Sequence, residues 1–404
     1  MLSPLYFRTQ RISLPSSILK TSLGIILAGW GAISEPATAA SLYAITDLGT
    51  LGGEEIGIAG LNDAGQAVGY AGTSLDLRPT HAFVSQSGSM QDLGTLGGFL
   101  SNAADINNSG TIVGGSLNKD RLARGFVSQS GAMRELKTLG GPWSRADGIN
   151  NAGIIVGAST PKDSLKEQAV LWSTPKAVPQ GLGTLGGAVS FASKINDHNQ
   201  VVGFSETPDS SRAFRWEAKS GMQDLGTLGG EASRAEDINN AGQIVGSAEI
   251  PNRSFHAFLW EDKLGMLDLG TLLSNEAFPY YADNQSQAWS INDSGQVVGS
   301  SSFPKEELDV SGIPYQSVVG HAFLYEDQVM QDLNHLIPSD SGWELNSSQA
   351  INDAGQIAGY GTIKGQTRGF LLTPQPVPEP ASTLGILAFG IFGAAAVLRH
   401  KLKR

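Results

Sequence analysis

"YAITDLGTLGG", residues Tyr43–Gly53, opens the body of the chain, and its second half returns verbatim at Asp92–Gly98 and Asp224–Gly230. Aligned on its first leucine, the motif occurs seven times, at Leu48, Leu93, Leu136, Leu182, Leu225, Leu269 and Leu333, with spacings of 45, 43, 46, 43, 44 and 64 residues. Self-similarity at such a period marks an array of supersecondary units. Each unit reads as four short strands separated by turn residues. In the fifth, "SRAEDIN" is strand A, "GQIVGSA" strand B, "FHAFLW" strand C and "GMLDLG" strand D. Strand D follows strand C six times, but the seventh unit stops at "RGFLLTP". The missing strand is "YAITDLG" itself. A chain that begins with strand D and ends with strand C completes its last sheet from both ends, which removes the open edges that invite aggregation. The expected fold is all-β: a seven-bladed β-propeller of four-stranded repeats closed by the N-terminal strand.

Two further landmarks accompany the motif. An asparagine turn, "INNAG" or a cognate, begins at positions 61, 106, 149, 195, 238, 291 and 351. It suits a type I turn closed by a residue in the left-handed region, where the fourth copy puts Asn199 in place of glycine. The third landmark is "HAF" or its equivalent, begun by His81, Arg124, Gln168, Arg212, His256, His321 and Arg368. Together these landmarks resemble the HAF-repeat family of extracellular proteins over residues 43–374. That resemblance implies an exported repeat protein and brings no catalytic residues.

The ends of the chain carry addresses. Arg8, Arg11 and Lys20 precede an apolar run, Ser22–Ile33, and "ATA" at Ala37–Ala39. This order is that of a signal peptide spanning residues 1–39 and cut after Ala39 by signal peptidase. The alternative, an uncleaved anchor, has an apolar run shorter than a membrane span. At the other end, Pro378, Glu379 and Pro380 precede the uncharged stretch Ala381–Leu398 and "RHKLKR". A helix there could just cross a bilayer, with its basic end cytoplasmic and the body outside. A plain tail anchor is one reading. The arrangement over 375–404 resembles the PEP-CTERM sorting signal, which implies an exosortase-like partner and a cell-envelope, cell-surface or extracellular-matrix address.

Between Ser41 and Pro374 the chain holds 20 basic and 36 acidic residues, a net charge of −16. Such a field disfavours nucleic acid and anionic membranes, leaving the C-terminal helix as the one expected membrane contact. The absence of cysteine means that burial, without disulfides, must hold the exported body together.

Chemical motifs are weak. DLGTLGG lacks the lysine and the following helix of a phosphate loop. "DINNSG" at Asp105–Gly110 begins like a calcium loop, but most copies lack the first carboxylate and a hairpin is the better reading. The histidines of the third landmark are expected to donate to neighbouring backbone. No metal or cofactor is expected. Asp105, Asp147, Glu236 and Asp237 lie on strand A beside Arg145, Lys194 and Arg234, where an ion-pair ring is expected and a propeller enzyme acting on extracellular glycans is the alternative.

Units six and seven break the repeat length. Leu269 to Ile291 spans 22 residues against 13 in the first unit, and Ile291 to His321 spans 30 against 17 to 20 elsewhere. These D–A and B–C insertions belong on one face, and with their neighbours they bring Tyr280, Tyr281, Trp289, Tyr315 and Trp343 there. Aromatic rings beside polar groups on extracellular loops suit polysaccharide, whereas rings that cap their own loops would bind nothing. The expected function is that of a non-catalytic binding or structural module.

Overall fold

Strand Tyr43–Asp47 pairs antiparallel with Gln366–Pro374, matching Tyr43 to Pro374 and Asp47 to Phe370. It is the outermost member of a sheet whose other strands, Trp343–Ile351, Ile357–Ile363 and Gln366–Pro374, all come from the far end of the chain. The computed structural model describes residues 42–74, 79–272, 284–308 and 314–376. Within them lie seven four-stranded sheets, six running A–B–C–D in chain order and the seventh closed by the N-terminal strand. This is the seven-bladed propeller that the repeat predicts. The expected signal peptide with its Ala37 and Ala39 site, the Pro378–Glu379–Pro380 motif and the hydrophobic tail lie outside the described residues. Among the described residues no helix is long and apolar enough to cross a membrane.

The repeat works as packing between blades. The first leucine of every DLGTLGG copy is buried, from Leu333 at 0% to Leu93 at 9% exposure. In blades 1 and 2, Val68, Ala82 and Leu93 meet Ala103, Ile106, Ile112 and Phe126 in one cluster, with Leu96, the second leucine, against it. Each core therefore lies between two sheets, and no blade can bury its own face alone. The HAF phenylalanines Phe83, Phe126, Phe214, Phe258, Phe323 and Phe370 are fully buried.

The glycines of the motif are more constrained than their replacement in some copies implies. Gly97 has φ +101°, and a Cβ on Gly98 would lie 2.6 Å from the Leu117 carbonyl oxygen. The tandem pair is needed where the link presses against the end of strand B. The seventh copy, with Asn334, Ile337 and Pro338 where glycines stand elsewhere, builds its link differently, entering a short 3₁₀ helix, Leu333–His335. The asparagine turns are as expected, with Gly242 at φ +81° donating to the Asn239 carbonyl at 3.1 Å and Asn199 at φ +63°.

The B–C insertion of blade 6 is a hairpin rather than a loop. Val297–Leu308 and Pro314–Glu326 pair from Val297↔Tyr325 out to Leu308↔Pro314. Lys305 ties it to Glu344 of blade 7 at 3.1 Å.

Candidate functional site

Every inner strand carries a β-bulge at the same step. Pairing skips one residue between Ile58 and Gly60, Ala103 and Asp105, Ala146 and Gly148, Ala192 and Lys194, Ala235 and Asp237, Ala288 and Ser290, and Ser348 and Ala350. A bulge puts an extra side chain on the strand and twists it. Here the extra residues and their followers supply the charged tier of the axial channel.

Lys194 Nζ lies 2.6 Å from Asp105, and Arg145 Nε lies 2.6 Å from Asp147. Burial works against the Lys194 charge, but Asp105, Asp237 and Asp147 outweigh it and hold the pKa above the ordinary lysine value. Asp237 accepts from Ser290 Oγ at 2.8 Å and from the Ile291 amide at 3.1 Å, while Asp105 accepts from the Ile149 amide at 2.9 Å. These carboxylates bond across to the next blade. Burial raises the pKa of Asp237 despite Lys194 and these donors, and raises that of Asp147 despite Arg145. Asp147 Oδ2 is buried with no hydrogen-bond partner among the described residues. Glu236 is pushed to about 7 by burial and by the Asp147 charge, against the pull of Arg234. The expected ion-pair ring is thus partial: it includes Lys194 and Arg145, while Arg234 forms no ion pair among the described residues.

One mouth of the channel is formed by the A–B turns, in two closed rings of hydrogen bonds. Asn62 Nδ2 donates to the Asn107 carbonyl, and the same bond repeats through Asn150, Asn196, Asn239, Asn292 and Asn352 back to Asn62, at 3.0–3.2 Å. The next residue of each turn makes a second ring, backbone amide to side-chain oxygen, from Asp63 through Asn108, Asn151, Asp197, Asn240, Asp293 and Asp353. Burial, and then the like charges of Asp293 and Asp63, raise the Asp353 pKa although the Asp293 amide donates to it. The calcium-like turn at Asp105 is one of these hairpins.

At the other mouth, where strands A begin and strands B end, an aromatic run crosses blades 3 and 4. Trp143 meets Phe191 edge-on at 6.3 Å, Phe191 stacks on Phe204 at 5.0 Å and 21°, and the Arg234 guanidinium lies 3.9 Å from the centre of the Phe204 ring. All three rings are partly exposed and Arg234 is exposed. The register explains the stack, since Phe191 and Phe204 are direct partners on adjacent strands.

The aromatics expected from the long units fare differently. Trp343 begins strand A of blade 7, packs against that blade's core and meets Phe370 edge-on at 6.1 Å. Trp289 sits at the bulge of blade 6, its indole N–H buried without a partner among the described residues. Tyr280 and Tyr281 lie outside the described residues. Tyr315 falls on the blade 6 hairpin, and its side chain lies outside them too. The aromatic run that the structure does assemble was missed. Its signal was the departure of Phe191 from a repeat position held by Gly57, Asn102 and Gln287 in blades 1, 2 and 6, whereas the position of its partner Phe204 is aromatic also at Tyr70 and Tyr360.

The HAF histidines correct another expectation. His81, His256 and His321 turn Nδ1 to the carboxylates of Asp92, Asp268 and Asp332 at 2.7–2.9 Å, not to backbone. In blade 2, Arg124 and Glu135 replace that pair at 2.8 Å. The partner is the aspartate of DLGTLGG, so the two landmarks recognise each other across strands C and D. Burial opposes ionisation of Asp268 and Asp332, yet the histidine and the amide two residues on lower both pKa values.

No curated protein matches the chain. Among solved structures it is similar to a putative TolB from Agrobacterium tumefaciens, with 10% identity and a TM-score of 0.40 over 72% of this chain and 95% of that one. TolB from Acinetobacter baumannii gives 11% identity and a TM-score of 0.38 over 73% and 60%. A puromycin-hydrolyzing peptidase from Mycobacterium tuberculosis gives 10% and 0.46 over 82% and 55%. Function is accordingly read from the site. Residues 376–401 match the PEP-CTERM protein-sorting motif, so the chain carries the signal of exported cell-envelope proteins that an exosortase-type enzyme processes. Residues 142–370, more than half of the chain, match the family described as "Protein of unknown function (DUF3466)", and the protein belongs to that family.

Proposed function

We propose that this protein is an exported, non-catalytic glycan-binding module of the cell surface or extracellular matrix. In this reading residues 1–39 are removed by signal peptidase, the repeats of 41–374 make up the HAF-type body, and 375–404 serve for sorting through one transient membrane helix. The observation that carries the binding role is the partly exposed run Trp143–Phe191–Phe204 at the channel mouth. Apolar ring faces stack on the C–H faces of sugars, and neighbouring polar groups take the hydroxyls. Asp105 and Asp147 are engaged in ion pairs, which supports a site that binds without turning over.

The test is retention of the full-length protein on a panel of polysaccharides with product analysis alongside. Retention without cleavage is expected, and alanine at Phe191 and Phe204 lowers it about tenfold. Alanine at Tyr280 and Tyr281 separates this surface from the insertions of blade 6. Unchanged retention in the Phe191 and Phe204 variants would sink the reading. A second reading, a glycan-cleaving propeller, rests on Glu236, a channel carboxyl poised at about 7. Cleavage by the parent protein that E236Q abolishes would establish it.

A further inference from the structure

Three consecutive inner strands present Arg145, Phe191 and Arg234 at one position. Each stands between a buried serine and a buried alanine: Ser144 and Ala146, Ser190 and Ala192, Ser233 and Ala235. Strand alternation turns the middle residue away from that core, and both arginines reach back over strand B of the preceding blade, Arg145 beside Gly115 and Arg234 over Phe204. The register agrees, pairing Arg145 with Ala158, Phe191 with Phe204 and Arg234 with Ser247. Blades 1, 2 and 6 put Gly57, Asn102 and Gln287 at that position, so this arc is where cations flank an aromatic ring.

Both guanidinium groups keep capacity to spare. Arg234 stacks on Phe204, stays exposed and forms no ion pair among the described residues. A guanidinium held over a ring face keeps its N–H edges available to take a carboxylate in two parallel hydrogen bonds. Arg145 gives Asp147 its Nε, and its side chain is still 46% exposed. This happens in a chain of formal net charge −11, whose general field repels polyanions. Local cations that oppose the overall sign therefore select a ligand by short-range recognition instead of long-range attraction.

We infer that the arc selects a carboxylated polysaccharide, a polymer of uronic acid residues, with pyranose faces on Phe191 and Trp143 and carboxylates on Arg145 and Arg234. The inference rests on the glycan-binding reading and narrows it. Nucleic acid also stacks and carries charge, but its dense phosphates meet the acidic field over a much longer contact.

The test measures binding of the full-length protein to polygalacturonate, to its neutral methyl ester, to neutral dextran and to a single-stranded oligonucleotide. Polygalacturonate is expected to bind about tenfold more tightly than its ester, and R145A/R234A to remove that preference. R234A alone, which breaks no ion pair among the described residues, is expected to lose part of it while the cooperative melting transition is kept, and R234K not to restore it. Equal binding of acid and ester, or an unaffected double variant, overturns the inference while glycan binding stands. Retention of no polysaccharide overturns both. Tighter binding of the oligonucleotide overturns the inference in favour of nucleic acid.

Discussion

A carboxyl at the extra residue of a β-bulge has no place in the sheet, and at Glu236 its neighbours decide its charge. Burial raises its pKa from 4.5 to about 7, so the folded protein holds a proton there that the unfolded chain has already released. Stability from this group is greatest below pH 4.5 and is lost as pH rises through about 7. E236Q removes that loss. The variant is expected to melt higher than the parent at about pH 8 and to match it at about pH 4, as checked by calorimetry at both pH values. The aspartates of the His–Asp pairs act in the opposite sense: Asp268 and Asp332 stabilise above their ordinary pKa of 3.8, and that gain is lost as pH falls through their lowered values. Little of this was legible beforehand. The charged residues of strand A stand out in the sequence, but which of them pair depends on bulges that shift register by one residue. The His–Asp pairs were more nearly legible, since HAF and DLG sit about a dozen residues apart on strands that must neighbour each other.

For the link between blades, the seven copies show which positions pack, and the structure shows which positions turn. Leucine recurs because the link must bury a side chain in the core of the adjoining blades, and that much can be read from the repeats. The closeness of Gly98 to strand B could not be read, because nothing in the sequence measures that approach. Alanine at Gly98 would meet Leu117 Cβ and its carbonyl oxygen at 2.6 Å, whereas Gly94 has nothing within 4 Å and only its φ of +71° to defend. G98A is therefore expected to destabilise by about 2 kcal/mol or more and G94A by about 1, a difference that urea titration resolves. The long unit six misled for the same reason that loops mislead. Length alone does not tell an irregular insertion from two strands that simply continue pairing, as Val297–Leu308 and Pro314–Glu326 do.

Across the whole molecule, ring closure was the most legible feature, because it is written at the two ends as a missing strand and a spare one. Removing residues through Asp47 leaves Gln366–Pro374 as an open edge and deletes Tyr43, a buried side chain contributing about 2 kcal/mol on its own. The truncated chain is expected to melt lower and to self-associate, and a synthetic Tyr43–Asp47 peptide to reverse both, as read by light scattering. The aromatic and arginine arc was hidden, since Trp143, Phe191, Phe204 and Arg234 come from three repeats and none belongs to a motif. Only the ring brings them to one mouth. The closing strand has a mechanical consequence as well. The last strand, Gln366–Pro374, is bonded along both flanks, to Ile357–Ile363 on one side and Tyr43–Asp47 on the other, and the Gln375 amide adds a bond to the Leu42 carbonyl. The sorting segment begins one residue beyond, at 376. A pull applied along this strand from its C-terminal end would load both rows of hydrogen bonds at once in shear, so the ring resists being unravelled from that end.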